Sequence, residues 1–514
     1  MLQRYDADRI HASRFHRDTT RSRRAGRRAQ DVIDFRPIFQ VIGILLATLA
    51  VAMFIPMFAD LIEGNEDWRV FLGSGFLTLF VGLALYLTNR TGNTSLTVRQ
   101  AFLLTTLAWV VLCAFAALPF AFAEVGLNYT GAFFEATAGL TTTGATVMVG
   151  LQNMPAGILV WRGLLQWMGG IGIIVTAVAV LPMLRIAGMQ LFQTESTDQE
   201  KMLPRTVRIA VVIGTIYLVF SVLCFLAYWA VGMTGFEAMI HAMTTVSTAG
   251  FSTHDSSIGV FDNAKVEIVA MVFMIAGALP FVIYMQFVRG RVVYLWRDTQ
   301  VKWFAGIVVT AIVLLTTWRM HLGPEPGGFW DTLRDTAFNV IAIATTTGYA
   351  SDDFSTWGGF GVAIFFVLFF LGGCSGSTAG GIKMFRVHVL VATVYMQLRR
   401  LMQRHGVFVA HYNNVQITEP VAQAVNAYLV ILIGGFFLLT LGLAAHDLDF
   451  ITSASGAAAA LGNIGPGLGP TIGPAGNYST LPDTAKFLLC LGMVMGRLEM
   501  FTVLVLFTPA FWRE

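Results

Sequence analysis

The chain has 514 residues, 56% hydrophobic and 12% charged, with a formal net charge of +3 and a mean hydropathy of +0.68. Soluble globular domains carry about 25% charged residues, so half that density over this length excludes a large soluble domain and points to a polytopic membrane protein. The apolar runs are continuous rather than alternating with period two, which argues against a transmembrane β-barrel.

In chain order, residues 1–36 form a basic tail. Its first thirty positions hold nine arginines (Arg4, Arg9, Arg14, Arg17, Arg21, Arg23, Arg24, Arg27 and Arg28) against three aspartates. The apolar run that follows is membrane-length and no small-residue cleavage site succeeds it, so the tail is not a cleavable signal peptide. The positive-inside rule places it in the cytoplasm, where it also meets anionic lipid rather than nucleic acid. Ten runs approach or exceed the ~20 residues a helix needs to span: near 37–59, 70–88, 98–122, 157–184, 206–231, 264–288, 301–319, 358–398 (interrupted), 418–445 and 484–512. The acidic loop DLIEGNEDWR then falls outside and the basic NRTGNTSLTVR inside. RGRVVYLWRDTQVK and the stretch with Lys383, Arg386, Arg399, Arg400 and Arg404 also fall inside, leaving both termini cytoplasmic. Cys113, Cys224, Cys374 and Cys490 all lie in apolar spans without a CxxC pair and read as packing residues.

A glycine preceded by small polar residues recurs in GLTTTGAT, TTVSTAGFST and AIATTTGYAS, with ALGNIGPGLG as a fourth member. The key glycines are Gly144, Gly250, Gly348 and Gly465, spaced by 106, 98 and 117 residues. Before each lies a segment too short to span: YTGAFFEATAGL, GFEAMIHAMTTV, WDTLRDTAFNVIAIA and ITSASGAAAAL. The pattern predicts four modules of helix, re-entrant half-helix, loop and helix around one axis. They occupy 96–190, 200–295, 300–400 and 415–514, with 37–95 as an extra two-helix unit. The chemistry of such loops is cation binding. A dehydrated cation needs several oxygen ligands, and backbone carbonyls supply them without fixed charge. Glycine reaches the positive φ that aims them.

With these four loops, WRGLLQWMGGIGIIV (161–175), GGCSGSTAGGIK (372–383) and MGRLEMFTVLVLF (495–507), the chain resembles the Trk/Ktr/HKT superfamily of potassium transporters, within it the TrkH-like membrane subunit, over nearly its whole length from about residue 37. The resemblance implies an all-α polytopic protein of the bacterial inner membrane. It would have ten transmembrane helices, four pseudo-symmetric M1–P–M2 repeats around one pore, and two extra N-terminal helices. It implies K⁺ uptake, no enzymatic activity and no cofactor, with K⁺ as the transported ion. Homodimerisation and a cytosolic, nucleotide-binding regulatory subunit of the TrkA type are implied as well. The filter carbonyls then come from Thr142, Thr143, Gly144 and Ala145; Thr248, Ala249, Gly250 and Phe251; Thr346, Thr347, Gly348 and Tyr349; and Asn463, Ile464, Gly465 and Pro466. Some Na⁺-passing relatives carry serine at the first glycine, so Gly144 favours K⁺. Pro466 has no N–H to donate, so the fourth loop is expected to be distinct.

The segment from Gly372 to Lys383 (Gly373, Cys374, Ser375, Gly376, Ser377, Thr378, Ala379, Gly380 and Gly381 included) is the implied gate. The alternative is a static kink with tight glycine packing. Five glycines are expected to let it move, and Ser375, Ser377 and Thr378 to satisfy its freed backbone. Arg497 is the implied barrier in the pore, or else a buried partner of Glu499. Glu135, His241, Asn339 and Gly456 stand nine residues before their glycines and are expected to support the filter from behind rather than bind ions. Arg162 has Asp255 as a candidate partner. Lys383 either holds the loop through carbonyls or snorkels to the cytoplasmic surface. Gly376 and Gly381 mimic a phosphate loop in spacing, but Ile382 stands where the lysine is required. The remaining rival is K⁺/H⁺ or K⁺/Na⁺ symport, since broken helices also build such sites.

Overall fold

The computed structural model describes residues 33–91, 96–179, 202–288, 290, 295, 297–323, 328–403, 405–413 and 415–513. The nine arginines from Arg4 to Arg28 lie outside the described residues. Among the described residues the regular structure is helical apart from a two-stranded hairpin, β1 (His411–Tyr412) against β2 (Val415–Gln416), and an isolated bridge between Leu371 and Ile382; the chain is a polytopic membrane protein. Among the described residues, seven helices are long and apolar enough to span, or nine if each of two bent pairs counts as one span.

The chain opens with α1 (Arg36–Glu63) and α2 (Trp68–Thr88), an antiparallel pair. Gly43 and Gly82 let the two backbones meet: a methyl on Gly43 would stand 2.6 Å from the Gly82 carbonyl oxygen. Small residues play this part generally between helices in lipid. There follow α3 (Val98–Ala116), α4 (Leu118–Phe122), α5 (Tyr129–Leu140) and α6 (Ala156–Ala179). The membrane-length window of α6 is 78% buried, against 22–39% for the six other long helices, so α6 lies in the interior. Asp60 at the end of α1 accepts the Gly157 N–H at 2.6 Å and so caps α6 from another element. The indole of Trp161 donates to the Ala116 carbonyl at 3.0 Å.

The four short segments read from the sequence are all helices: α5; α8 (Gly235–Val246), after α7 (Met202–Ala230); α12 (Phe329–Ala344); and α16 (Phe450–Gly462). Asn128, Thr234 and Asp449 cap three of them through their side chains, and Thr234 with Glu237 forms a capping box. Gly328 starts α12 with no side-chain cap.

Two runs read as unbroken spans are broken. The 264–288 run is α9 (Ala264–Ala278) and α10 (Phe281–Val288), bent by 97° at Leu279 and Pro280. Pro280 has no N–H for a helical ladder. The last run is α17 (Asp483–Arg497) and α18 (Phe501–Leu504, continuing to Phe507), bent by 107° where Glu499 takes a left-handed φ of 57°. The interrupted run holds α13 (Gly359–Leu368), after α11 (Thr299–Leu322), then a non-helical stretch, then α14 (Met384–Met402). The helix α15 (Glu419–Ala444) follows the hairpin.

These breaks satisfy one another. Cys374 N–H donates to the Ala278 carbonyl at 2.9 Å, Thr378 N–H to Gly277 at 3.2 Å, and Phe281 N–H to Gly376 at 2.9 Å. Backbone freed by one broken helix therefore finds its partners in another, which is what membrane burial demands.

Candidate functional site

The four short helices run into four loops of one conformation. Thr142, Thr248, Thr346 and Asn463 are left-handed, with φ of 53°, 50°, 58° and 53°. Two residues on, Gly144, Gly250, Gly348 and Gly465 have φ of 82°, 80°, 76° and 104°. The intervening amides fold back on their own helix. Thr143 N–H reaches the Ala138 carbonyl at 2.8 Å, Ala249 reaches Thr244 at 2.9 Å, Thr347 reaches Ala342 at 2.8 Å and Ile464 reaches Ala459 at 3.1 Å. A trans peptide points its C=O opposite to its N–H. The carbonyls of Thr142, Thr248, Thr346 and Asn463 therefore point away from their helices.

The loops close into a ring. A methyl on Gly144 would collide with the carbonyl oxygen of Ala249, one on Gly250 with that of Thr347, and one on Gly348 with that of Ile464. On Gly465 it would stand 2.8 Å from the carbonyl oxygen of Thr143, which returns to the first loop. Each glycine thus abuts the carbonyl that precedes the next glycine around the ring. Asn463 Nδ2 also donates to Thr143 Oγ1 at 3.0 Å and to the Met493 carbonyl at 2.9 Å, joining the fourth loop to the first and to α17.

The fourth quadrant is distinct, as Pro466 suggested. Gly465 has the largest φ of the four glycines, and its carbonyl accepts the Tyr478 hydroxyl at 2.8 Å. The residues that follow the other glycines, Ala145, Phe251 and Tyr349, are buried behind the ring. Tyr349 shares its hydroxyl with Thr244 at 2.5 Å and Thr245 at 3.1 Å.

Polar side chains brace the ring from behind. Glu135 accepts from Thr146 Oγ1 at 2.9 Å and Val147 N–H at 2.9 Å, and pairs with Arg162 Nε at 2.8 Å. Arg162 also donates to the Ser252 carbonyl at 2.8 Å and lies 4.0 Å over the Phe251 ring, so it ties the first loop to the second. Its partner is Glu135 and not Asp255, which instead accepts the Gly150 and Leu151 amides. His241 Nδ1 faces the Glu237 carbonyl at 2.8 Å, which only accepts, so the proton sits on Nδ1 and Nε2 accepts from Ser252 at 3.0 Å. Asn339 exchanges hydrogen bonds with Ser351. In the fourth helix the role falls to Ser455, which takes the Leu468 amide at 2.9 Å, because Gly456 has no side chain. Gln166 on α6 was not singled out from sequence. It donates to the Ala249 carbonyl at 2.8 Å and accepts the Phe251 amide at 3.0 Å. A polar glutamine inside an otherwise apolar span is the signal that could have marked it, and the structure buries it fully.

The 372–383 segment lies directly against the ring's underside. Its ends are clasped by Ile382 N–H to Phe370 O at 3.0 Å and Gly372 N–H to Ile382 O at 3.1 Å. Thr378 Oγ1 donates to the carbonyls of Gly277 at 2.9 Å and Val246 at 3.2 Å, and accepts from Thr248 Oγ1 at 3.1 Å. Gly380 N–H donates to Thr346 Oγ1 at 2.6 Å. Of the three hydroxyls expected to satisfy freed backbone, Ser377 and Thr378 do so, while Ser375 contributes its amide, held by Gln300. The glycines permit contact more than they provide clearance. Methyls on Gly372, Gly373 and Gly380 would strike Gly380 O, Ala379 Cβ and Gly462 O, and only Gly376 has open space.

Arg497 does not pair with Glu499. It donates to the Thr378 carbonyl at 3.0 Å, and its Nε and Nη2 are buried without partners among the described residues. Glu499 pairs with Arg386 at 2.5 Å, and Arg386 stacks 3.9 Å over Tyr428. Lys383 donates to the Ala379 carbonyl, so it holds the segment. A cavity of about 40 Å³, room for a few waters, lies between Ser375, Gly380, Lys383, Arg386, Tyr428 and Arg497.

Comparison with known proteins agrees with this architecture. The TrkH family model, described as a cation transport protein, matches residues 68–514. The Trk system potassium uptake protein TrkI of Halomonas elongata is 44% identical, covering 95% of this chain and 99% of its own length. TrkH of Escherichia coli K12 is 37% identical, covering 93% of this chain and its own entire length. The crystal structure of the potassium transporter TrkH from Vibrio parahaemolyticus superposes with a TM-score of 0.87 at 35% identity, covering 94% of this chain and all of that one. Ring, bracing side chains, underlying segment and these likenesses converge: this chain belongs to the TrkH family of cation transport proteins, a family of transporters and not of enzymes.

Proposed function

We propose that the chain takes up K⁺ across the bacterial cytoplasmic membrane through a channel-like pore. Its filter is the ring formed at Gly144, Gly250, Gly348 and Gly465, and the 372–383 segment is its gate. The observation that carries the reading is the ring itself. Four loops of like conformation aim neutral carbonyls away from their helices, and neutral carbonyls replace the water of a dehydrated cation while letting it leave again. The potassium uptake named for its relatives supports K⁺ as the ion. On this reading the chain forms ten membrane crossings, four M1–P–M2 units after the α1–α2 pair, with both termini cytoplasmic. Arg497 adds positive charge beneath the ring and raises the barrier to a cation. A homodimer and a cytosolic TrkA-type subunit complete the assembly.

The test is rescue of K⁺-limited growth in a host lacking K⁺ uptake, with Rb⁺ and Na⁺ uptake measured alongside. Absence of rescue, from protein present in the membrane, overturns the reading. Gly144→Ser, whose Cβ would also meet a neighbouring carbonyl, that of Ala249, is expected to lower total uptake and K⁺ uptake the more, so that Na⁺ rises relative to K⁺; an unchanged ratio removes that residue from selectivity. In voltage-clamped liposomes the current is expected to follow the K⁺ gradient alone. Obligatory dependence on H⁺ or Na⁺ replaces the pore with a symporter.

A further inference from the structure

We propose that Gln300 is a positioning residue that latches the 372–383 segment and ties it to the β1–β2 hairpin. The inference rests on the gate reading above. Gln300 lies in the first turn of α11 and is 1% exposed. Its Oε1 accepts the Ser375 N–H at 2.7 Å, and its Nε2 donates to the Tyr412 hydroxyl at 2.7 Å. Chemistry fixes this orientation of the amide, because a backbone N–H only donates. One side chain therefore bridges the segment and the hairpin.

The surroundings hold the bridge in place. Asp298 caps α11, accepting the Gln300 amide at 2.8 Å, and its other oxygen accepts Asn413 Nδ2 at 3.0 Å. Asn413, in the hairpin turn at φ 43°, accepts the Thr299 amide at 2.9 Å. Tyr412 is 4% exposed, and its ring centroid lies 5.0 Å from that of Phe385, edge-on, on the first turn of α14. The hairpin thus grips the start of α11 twice, once through Asn413 and once through Tyr412. The other hydrogen bonds described for 372–383 run within it or to Gly277, Ala278, Phe281, Thr346 and similar groups of the membrane core. The Ser375–Gln300–Tyr412 chain leads out of the core to an element on the face that the charge pattern assigns to the cytoplasm. Moving the hairpin away from α11 leaves the Gln300 amide half-satisfied and loosens its hold on Ser375. In the low-dielectric interior an unpaired amide is costly, so the two contacts stand or fall together.

The experiment uses the purified full-length chain in liposomes and reads two quantities: K⁺ flux, and the rate at which a membrane-permeant maleimide labels Cys374. The other three cysteines, Cys113, Cys224 and Cys490, are replaced by alanine. Gln300→Leu removes both hydrogen bonds and is expected to raise flux and labelling by about tenfold. Tyr412→Phe removes one hydroxyl and is expected to raise both by about threefold. Their combination goes no further than Gln300→Leu alone. Gln300→Glu, which accepts from both Ser375 and Tyr412, restores slow labelling. Wild-type flux and labelling in Gln300→Leu, at an unchanged Tm, overturn the latch. A variant shortened across Gly376 to Thr378 separates the two ideas. If it leaves flux unchanged while Gln300→Leu still speeds labelling, the latch stands and the gate reading falls. If it raises flux while Gln300→Leu moves neither readout, the gate reading stands and the latch falls.

Discussion

The ring and the segment beneath it are built on different plans from the same kind of sequence. Both are glycine-rich and rich in small hydroxyl residues. In the ring, each glycine supplies positive φ and close approach at once, and the loops repeat with little variation. In the segment the two jobs are divided: Gly376 and Gly381 have φ of 78° and 67°, while Gly372, Gly373 and Gly380 supply closeness alone and have no room for a methyl group. The ring is held by side chains behind it, chief among them the buried Glu135–Arg162 pair. The segment is held by backbone groups of broken helices and by single side chains: Gln300, Thr346, Lys383 and Arg497. A ring braced from many sides suits a fixed ligand set, and a segment held by separable single contacts suits displacement.

That contrast is broken most severely at the ring. Gly250→Ala places a methyl on the Thr347 carbonyl and forces an L-residue into a left-handed φ. K⁺ flux is expected to fall by more than about a hundredfold with the protein still inserted, as read by ⁸⁶Rb⁺ uptake beside membrane yield. Wild-type uptake in this variant would disprove the ring as the ion path.

Next in size is the brace. Arg162→Met leaves Glu135 buried without its cation, a loss of about 3–5 kcal/mol. The variant is expected to melt lower in detergent and to admit more Na⁺ relative to K⁺. Adding Glu135→Gln should recover much of the lost Tm, since both ends are then uncharged. No recovery would mean that Arg162 acts through Phe251 and Ser252 rather than through the ion pair.

The segment gives effects of the other sign. Arg497→Ala removes a charge and the bond to the Thr378 carbonyl. Flux is expected to rise by about three- to tenfold, while the Tm changes little beside Arg162→Met, because one hydrogen bond to a charged group is worth about 1.5–3 kcal/mol. A fall in flux would make the arginine part of the conducting structure rather than an obstacle.

The smallest change is expected at Tyr478→Phe, which releases the Gly465 carbonyl at a cost of about 1 kcal/mol. The Rb⁺ to K⁺ flux ratio should shift by less than about threefold, since one quadrant of four is touched. A collapse of selectivity would show that the fourth quadrant dominates the ring.

Much of this was legible in the sequence because it is local. The short helices were marked by their length between two longer runs, and α5 and α8 have the very bounds read from sequence. The threonines and glycines announced the loops. What escaped was pairwise and distant. Arg162 was matched with Asp255 by side of the membrane, but Glu135, 27 positions earlier, lies within reach. Glu499 was offered to Arg497, its near neighbour, but the break at 498–500 turns it toward Arg386, 113 positions away. Pro280 was a visible helix breaker inside a run whose hydropathy outweighed it. Gln166, Gln300 and Tyr412 carry no periodic signal at all. Their roles exist only once three elements have come together.

One last consequence concerns number. The four ring loops lie in a single polypeptide, and among the described residues the third module alone has a long non-helical segment in place of a helix break of a few residues. Four identical chains around an axis would have to carry four such segments. Each would claim the same volume under the ring, now packed tightly enough that a methyl at Gly380 would strike the Gly462 carbonyl. Joining the quadrants into one chain frees each to differ, so one underlying segment, with Arg497 and Gln300 each touching it once, suffices where symmetry would have imposed four of each.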